Sequence, residues 1–235
     1  MLKHLREQVL EANLELVRRG LVLSTFGNAS GIWREKGLVV IKPSGIPYQE
    51  MTAEHLVVTD LGGQVVEGKL KPSSDLPTHL VLYNQFAEIG GVAHTHSEYA
   101  TAWAQARRPI PCFGTTHADY FHGAVPVTSE MTDAEIAKDY EKNTGHAIVR
   151  SLRQSSPSAT PGVLVANHGP FAWGKDAAAA AEHAVILESI ARMAYLTLGI
   201  NAAADPVGSG LHDKHYLRKH GENAYYGQGN LKHKS

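Results

Sequence analysis

The 235-residue sequence has a single cysteine, few aromatic residues and no excess of charge of either sign. One cysteine excludes a disulfide framework and a cysteine-based zinc knuckle, and it is typical of a reducing compartment, so we expect a cytoplasmic protein. The 22 basic and 23 acidic residues give a formal net charge of −1. This balance excludes a surface that binds nucleic acid through a basic excess.

Long apolar runs are also missing. No stretch approaches the roughly 18 uncharged apolar residues of a membrane-spanning helix, so we expect no membrane partner. The nearest candidate, the alanine-rich run after Asp176, is interrupted by Glu182, Glu188 and Arg192. Histidine, in contrast, is abundant, with 14 residues against 5 Phe and 3 Trp. The function of the chain has to account for some of these histidines.

Hydrophobic periodicity predicts an α/β fold. Short β-rich runs joined by tight turns favour a largely antiparallel sheet, with helices packed on it. Helices are predicted over residues 2–19, 76–86, 98–107, 132–152, 176–198 and 211–220. Strands are predicted over residues 31–34, 38–42, 55–59, 64–67, 91–96, 124–128, 162–167 and 171–173, and a turn over residues 26–31. The only linker-like stretch, residues 155–161, is short, so one domain is expected.

Three histidines have the spacing of metal ligands. Residues i and i+2 of a strand point to the same face, so His94 and His96 can present two imidazoles to one ion. His168 follows an apolar strand and enters a Gly-Pro turn. The pair alone is equally consistent with ordinary hydrogen-bonded or exposed histidines, and His168 alone is more typical of a turn residue than of a ligand. Together they favour the catalytic zinc pattern of three protein ligands and an open position.

Three turns of small residues form a second group of candidates. They cover residues 27–31, 42–45 and 71–75, and Lys42 adds a positive charge. Free N–H groups and hydroxyls at such turns and at helix N-termini bind phosphate. Each turn by itself is ordinary, and Asp75 alone is explained by a helix cap, with metal ligation or acid–base chemistry as alternatives. Together the turns can cradle one phosphate.

Taken in order, these motifs resemble the class II aldolase/adducin family. The resemblance rests on residues 27–30, 42–45, 73–75, 94–96 and 167–169, and it extends to Tyr226. It implies a single-domain α/β/α sandwich with a central, mainly antiparallel sheet over residues 1–228, followed by a tail at 229–235. It also implies a homotetramer with active sites between subunits.

Within this family, the sequence is more similar to the pentulose-phosphate 4-epimerases than to the fuculose-phosphate aldolases. The aldolases carry Glu where this chain has Asp75, and residues 213–221 are epimerase-like. The resemblance implies conversion of L-ribulose 5-phosphate to D-xylulose 5-phosphate by cleavage and re-formation of the C3–C4 bond. The pathway stays open between arabinose, ascorbate and other pentose routes.

The resemblance also implies a role for each candidate residue. A divalent ion, Zn²⁺ or alternatively Mn²⁺ or Co²⁺, is expected on Asp75, His94, His96 and His168. Asp119 and Tyr226 are expected to be the acid–base pair that serves the two C4 epimers. Contacts to the phosphorylated pentulose are expected from Asn28, Lys42, Ser44, Gly45, Ser73, Ser74, Thr115, Glu141 and His215.

Three other functions remain possible from the sequence. A fuculose-phosphate type aldolase would share the metal site, but the resemblance implies Glu at position 75 for it. A sugar-phosphate dehydratase could use the same ion. A metal-free binding module like the adducin head is expected to lack the three histidines, which this chain has.

Overall fold

The computed structural model describes residues 1–153 and 155–226, so the predicted tail at 229–235 lies outside the described residues. The helices are α1 (Leu2–Arg18), α2 (Leu76–Gln85), α3 (Glu98–Gln105), α4 (Thr115–Ala118), α5 (Asp133–Ala137), α6 (Tyr140–Ser151), α7 (Ala177–Ile200) and α8 (Ser209–His220). The strands are β1 (Asn28–Trp33), β2 (Leu38–Ile41), β3 (Val57–Asp60), β4 (Val65–Glu67), β5 (Gly91–His94), β6 (Gly162–Val165) and β7 (Gly169–Gly174).

The strands form one sheet in the order β4-β3-β2-β1-β5-β7-β6, and every neighbouring pair is antiparallel. This confirms the predicted mainly antiparallel sheet. Strands β1 and β5 lie near the middle, where both edges of each strand are hydrogen-bonded. Residues at the ends of these strands are therefore held firmly by main-chain bonds on both sides.

Helices cover both faces of the sheet, which confirms the predicted α/β/α sandwich. On one face, Val9, Ala12 and Leu16 of α1 pack with the alanine-rich face of α7 against the strands. On the other face, α2 and α6 pack against apolar side chains such as Val163 and Phe171. The spacing of apolar residues along α1 places one stripe toward the sheet, as an amphipathic helix requires.

The helix α7 is long and apolar enough to cross a membrane by length and composition alone. Its alanine face, however, is buried against the sheet and α1, as in a core helix of a folded domain. The small alanines allow this close packing. Gly91 of β5 shows how close it is, because a Cβ there would lie 2.3 Å from the carbonyl of Asp176.

The predicted turn at residues 26–31 is wrong from Asn28 onward, because residues 28–31 are the first four residues of β1. The small size of these residues allows close packing against α1 and does not form a turn. A Cβ on Gly31 would lie 2.9 Å from Leu5 Cδ1 and 3.0 Å from Val9 Cγ2, so α1 can approach the strand only where a side chain is missing.

The predicted single helix over residues 132–152 is also wrong. It begins with the expected capping box of Thr132 and Glu135 but ends at Ala137, and α6 starts at Tyr140. Between them Lys138 is extended, and Asp139 has a φ of +57°. A non-glycine residue in the left-handed region is uncommon, and hydrophobic periodicity gives no sign of it. The break places Tyr140 at the start of a new helix.

Smaller differences concern strand ends. The expected strand at 91–96 ends at His94, and the one at 55–59 is replaced by β3, preceded by a short 3-10 turn at Ala53–His55. Residues 124–128 contribute only isolated bridges through Val125 and Val127. Helix α4 was not expected at all. Its single turn is mostly polar, so its sequence shows no helical spacing of apolar residues.

Candidate active site

Three imidazoles meet at the end of the central strands. His94 is the last residue of β5, His96 lies two residues further on, and His168 lies in the turn between β6 and β7. Their ligand nitrogens all lie within 4.8 Å of one another, and the Nε2 atoms of His94 and His96 are 3.1 Å apart. The antiparallel pairing of β5 with β7 brings the third histidine to the other two.

Hydrogen bonds orient two of these rings. His94 Nδ1 donates to the carbonyl of Pro170 at 2.9 Å, which leaves Nε2 unprotonated and facing the other histidines. His168 Nδ1 lies 3.2 Å from the hydroxyl of Tyr140, so its Nε2 is the atom available to an ion. A ligand histidine whose second nitrogen is bonded to a carbonyl or another oxygen is the usual arrangement in metal sites.

Burial keeps the three rings in the neutral form that binds metals. It lowers the pKa of His94 to about 3, with Asp75 opposing the shift. Burial also lowers the pKa values of His96 and His168. Neutral imidazoles with converging lone pairs are good ligands for a borderline divalent cation. The donor set therefore fits a zinc-like ion.

Asp75 lies beside the histidines at the start of α2. Burial alone would raise the pKa of Asp75, but electrostatic interaction with His94 and His79 and a hydrogen bond from Asn28 lower it. Asn28 Nδ2 donates to Asp75 Oδ2 at 2.6 Å, and Asn28 is itself the register partner of His94 between β1 and β5. The carboxylate is thus a negative group within the electrostatic reach of the imidazole cluster.

Two turns of identical sequence, Lys-Pro-Ser, face each other next to this cluster. Ser44 N–H donates to the carbonyl of Lys71, and Ser73 N–H donates to the carbonyl of Lys42, each at 2.9 Å. Pro43 and Pro72 form an antiparallel bridge between the turns. The pairing holds two serines and one lysine together at the same end of the sheet.

Lys42 is buried, and among the described residues its hydrogen bonds include no carboxylate. Its Nζ donates to the carbonyls of Thr25 and Pro43 at 3.3 Å and lies 4.7 Å from the centre of the Tyr48 ring. Burial lowers the pKa of Lys42, with Asp75 opposing. A buried ammonium group held mainly by carbonyls is well placed to bind an anion.

These groups line one cavity of about 420 Å³. Its lining includes eleven of the residues predicted from sequence: Asn28, Lys42, Ser44, Gly45, Ser73, Ser74, Asp75, His94, His96, Glu141 and His168. Close approach of backbone shapes the entrance, because a Cβ on Gly27 would lie 2.9 Å from the carbonyl of His94. The structure thus brings most of the predicted site residues together in one cavity.

Three of the four remaining predicted residues, Asp119, His215 and Tyr226, lie in a second group together with Arg218 and Lys219, here called the α8 cluster. Asp119 accepts hydrogen bonds from Arg218 at 2.8 and 3.1 Å and lies 3.0 Å from His215 Nδ1. The Tyr226 ring lies 4.6 Å from both the Arg218 and the Lys219 cation. Asp119, His215 and Tyr226 are absent from the cavity lining within the described part of the chain.

Cations keep the Asp119 carboxylate ionised. Burial would raise the pKa of Asp119, but the hydrogen bonds from Arg218 and His215 and the charge of Lys219 hold it below its usual value. Tyr226 is 57% exposed, so solvent or another surface can reach it. Thr115 lies in a smaller cavity with Phe113, Met193 and Thr197, and its carbonyl accepts the N–H of Asp119 at 2.9 Å.

Sequence reasoning missed Tyr140, Arg218 and Phe26. Tyr140 lines the cavity and contacts His168 only because the helix breaks at Asp139. Phe26 stacks on His96 with ring centres 5.8 Å apart. Arg218 stands one turn after His215 in the basic end of α8, a signal that could have suggested a carboxylate partner.

The chain matches known proteins over nearly all its length. Residues 7–195 match the family described as Class II Aldolase and Adducin N-terminal domain. The L-ribulose-5-phosphate 4-epimerase UlaF of Salmonella paratyphi B is 53% identical over 227 residues, which cover 97% of this chain and 100% of the relative. The protein of the same name from Salmonella typhi has the same identity and coverage.

Solved structures of the same fold include two aldolases. An L-fuculose 1-phosphate aldolase is 27% identical, with a TM-score of 0.78 over 92% of this chain and 95% of the other. The L-fuculose-1-phosphate aldolase of Thermus thermophilus shares the fold, with a TM-score of 0.68, 22% identity, and coverage of 86% of this chain and 100% of the other. The family match spans most of the chain, and relatives align along nearly its whole length, so the protein belongs to the class II aldolase/adducin family.

Proposed function

We propose that this protein is a divalent-metal-dependent L-ribulose-5-phosphate 4-epimerase, which forms D-xylulose 5-phosphate in the cytoplasm. The main support for the proposal is that three converging histidines and the paired Lys-Pro-Ser turns line the same cavity. The 53% identical Salmonella relatives named for this reaction support it. Residues 1–228 would form the one catalytic domain.

Zn²⁺ is the ion that suits the donor set best, with Mn²⁺ and Co²⁺ as alternatives. His94, His96 and His168 would hold it, and Asp75 would be a further ligand. When bound, the ion supplies Lewis-acid stabilisation of the negative charge that develops on the ketose oxygens when the C3–C4 bond breaks.

The phosphate end of the substrate would bind at the paired turns. Lys42 provides the buried positive charge, and Ser44, Ser73 and Ser74 provide hydroxyl donors. Asn28 bridges the two ends of the cavity, because its amide reaches both Ser73 and Asp75. Anchoring the phosphate keeps the aldehyde fragment in place while its carbonyl turns to present the other face.

Asp119 and Tyr226 would move the protons at the C4 oxygen. The ionised Asp119 carboxylate would take the proton of the C4 hydroxyl as the C3–C4 bond breaks. After the bond re-forms on the other face, the Tyr226 hydroxyl would give a proton to the new C4 oxygen. Two proton carriers on opposite sides suit a reaction that inverts one carbon.

The proton carriers and the cavity would belong to neighbouring subunits of a homotetramer. Asp119 and Tyr226 both contact Arg218 of α8, whereas the cavity is lined by the strand ends and the paired turns. An exposed apolar strip at the end of α7, including Tyr195, Leu196 and Ile200, provides surface for such an assembly. Thr115 and His215 would complete the pocket from that side.

The test is a coupled assay for D-xylulose 5-phosphate, run with elemental analysis before and after chelation. We expect about one functional ion per cavity, loss of activity on chelation and recovery on adding Zn²⁺. Active enzyme with metal far below one ion per subunit would overturn the mechanism. Faster cleavage of L-fuculose 1-phosphate than epimerisation would identify the protein as an aldolase.

A further inference from the structure

A second group of metal-ligating side chains lies outside the cavity. It consists of His122, in the turn after α4, and His212 and Asp213, in the first turn of α8. Their ligand atoms all lie within 4.8 Å of one another. We call these three residues the surface histidine cluster, since His122 and Asp213 are exposed whereas His212 is buried.

The distances in the surface histidine cluster suit a tetrahedral ion, and the contact of His212 Nδ1 with Asp213 Oδ1 is a long hydrogen bond without one. His122 Nε2 and His212 Nδ1 each lie 3.4 Å from the same oxygen, Asp213 Oδ1. Strong hydrogen bonds to carboxylates are about 2.7–2.9 Å long. Zinc bonds of about 2.0–2.1 Å place neighbouring tetrahedral ligands about 3.3–3.4 Å apart. The distances from Asp213 Oδ1 to the two histidine nitrogens already have about that length.

The buried ring of His212 has the outer contact that a metal-bound histidine needs. Its Nε2 lies 3.1 Å from the carbonyl of Phe121 and accepts the N–H of Gly123 at 3.0 Å. An ion on Nδ1 requires the ring proton to move to Nε2, which then donates to Phe121 and gives up the hydrogen bond from Gly123. A ligand histidine that donates its second N–H to a backbone carbonyl is the usual arrangement.

We propose that His122, His212 and Asp213 form a second divalent-metal site that fastens α8 to the turn after Asp119. Two imidazoles and one carboxylate favour Zn²⁺ and similar ions over Ca²⁺ or Mg²⁺. Water completes the coordination on the exposed side. His122 is separated from its partners by about 90 residues of chain, so the ion adds a link between two segments that also meet through the Asp119–Arg218 ion pair and the His122–Tyr216 ring contact.

The consequence concerns the α8 cluster. Helix α8 carries His215 and Arg218, which hold Asp119, and the N–H of Tyr226 donates to the carbonyl of Arg218 at 3.0 Å. An ion that binds only the docked helix stabilises it by mass action. The site itself stands on its own geometry, and only this link to proton transfer rests on the proposed function.

The zinc content of four purified proteins tests the proposal: wild type, His122→Ala, His96→Ala and the control His146→Ala, which changes an exposed histidine of α6. After zinc loading and dialysis we expect about two ions per chain in wild type and His146→Ala, one for each histidine group. We expect about one ion in His122→Ala and in His96→Ala. His122→Ala with the wild-type zinc content would overturn the second site.

Trypsin cleavage provides a second measurement, because Lys214, Arg218 and Lys219 all lie in α8. With zinc at 100 times its Kd, opening of the fastened helix should be suppressed about 100-fold in wild type and in His96→Ala. Zinc should not protect His122→Ala. A single ion in wild type that His96→Ala keeps and His122→Ala loses would contradict the cavity metal but support the surface site, so the two proposals can fail separately.

Discussion

The cavity and the α8 cluster hold their polar groups in different ways. In the cavity, His94 and Asn28 are register partners in the middle of the sheet, and burial keeps the imidazoles neutral. In the α8 cluster, Asp119 is held by side chains of one C-terminal helix, and Tyr226 is more than half exposed. Main-chain bonds fix the first region, whereas charged side chains position the second.

This difference matches the chemistry proposed for each region. An ion needs ligands that are held within a few tenths of an ångström, which strand ends provide because each strand is bonded on both sides. Proton carriers need a charge balance and access to both faces of the substrate. We therefore expect changes in the cavity to affect metal and activity together, and changes in the α8 cluster to affect turnover alone.

The largest effect is expected for His96→Ala in the cavity. It removes one of three imidazoles, so the variant should lose the cavity ion and about 10⁴-fold or more in kcat/KM, since metal catalysis supplies several kcal/mol. Elemental analysis and the coupled assay measure both losses. The control His146→Ala should match wild type in both. A variant that keeps its activity without the ion would contradict the role of the cavity.

The next effect is expected for Tyr226→Phe in the α8 cluster. Loss of one proton carrier should lower kcat about 10³-fold, within the usual range for acid–base groups, and leave the cavity ion in place. A rate close to wild type would remove Tyr226 from the chemistry.

Mixing Tyr226→Phe with His96→Ala subunits sharpens the comparison. If each site takes its cavity from one subunit and its proton carrier from the neighbour, random hybrids should regain activity in about a quarter of the sites. Two inactive variants that restore nothing after unfolding and reassembly together would place both groups within one subunit.

Acid should destabilise both regions of the metal-free protein. Burial lowers the pKa of His79, behind the cavity, and of His117, beside the α8 cluster, from 6.5 to about 4. Below pH 6.5 the unfolded chain takes up protons that the folded chain cannot, so stability falls until pH reaches about 4. Each histidine should cost about 1.4 kcal/mol per pH unit in this window.

Urea unfolding at several pH values with a chelator present measures this dependence. His79→Gln and His117→Gln should each reduce the slope between pH 6 and 4.5 by about the share of one histidine. A free energy of unfolding that stays constant across this window would show that both rings become protonated in the folded protein.

The smallest effect is expected for Tyr140→Phe. The change removes the hydroxyl that contacts His168 Nδ1 but keeps the stacked ring. Loss of such an outer contact should weaken zinc binding about 10- to 100-fold, measured by competition with a chelator. Tyr195→Phe, which alters an exposed tyrosine of α7, is the control. An unchanged zinc Kd would mean that packing alone orients His168.

Much of the cavity could be predicted from the sequence because its signals are local. His94 and His96 are two residues apart, and the sequence Lys-Pro-Ser occurs in both turns. Each pattern constrains a few neighbouring residues, which short-range geometry converts directly into a shared face or a turn. The residues from Asn28 to Gly31 were misjudged, because their small size serves the packing of α1 and not a turn.

Tyr140 and Arg218 could not be found in this way. Tyr140 reaches His168 only because the chain leaves the helical conformation before Tyr140, with Asp139 in the left-handed region. The capping box and the spacing of apolar residues both predict an unbroken helix there. Arg218 reaches Asp119 across 99 positions of the chain. Neither contact produces a periodic pattern in the sequence.

The amino-acid sequence by itself determined the fold class, the histidine ligands and the phosphate-type turns. These depend on side-chain periodicity and on residue types at short spacing, which act before the chain is compact. Only the tertiary structure decided which groups share a cavity, which carboxylate is held by cations, and that His122 meets His212. These features depend on strand register and helix docking. Contacts between residues far apart in sequence stabilise the fold only after the chain has paid the entropy of bringing them together.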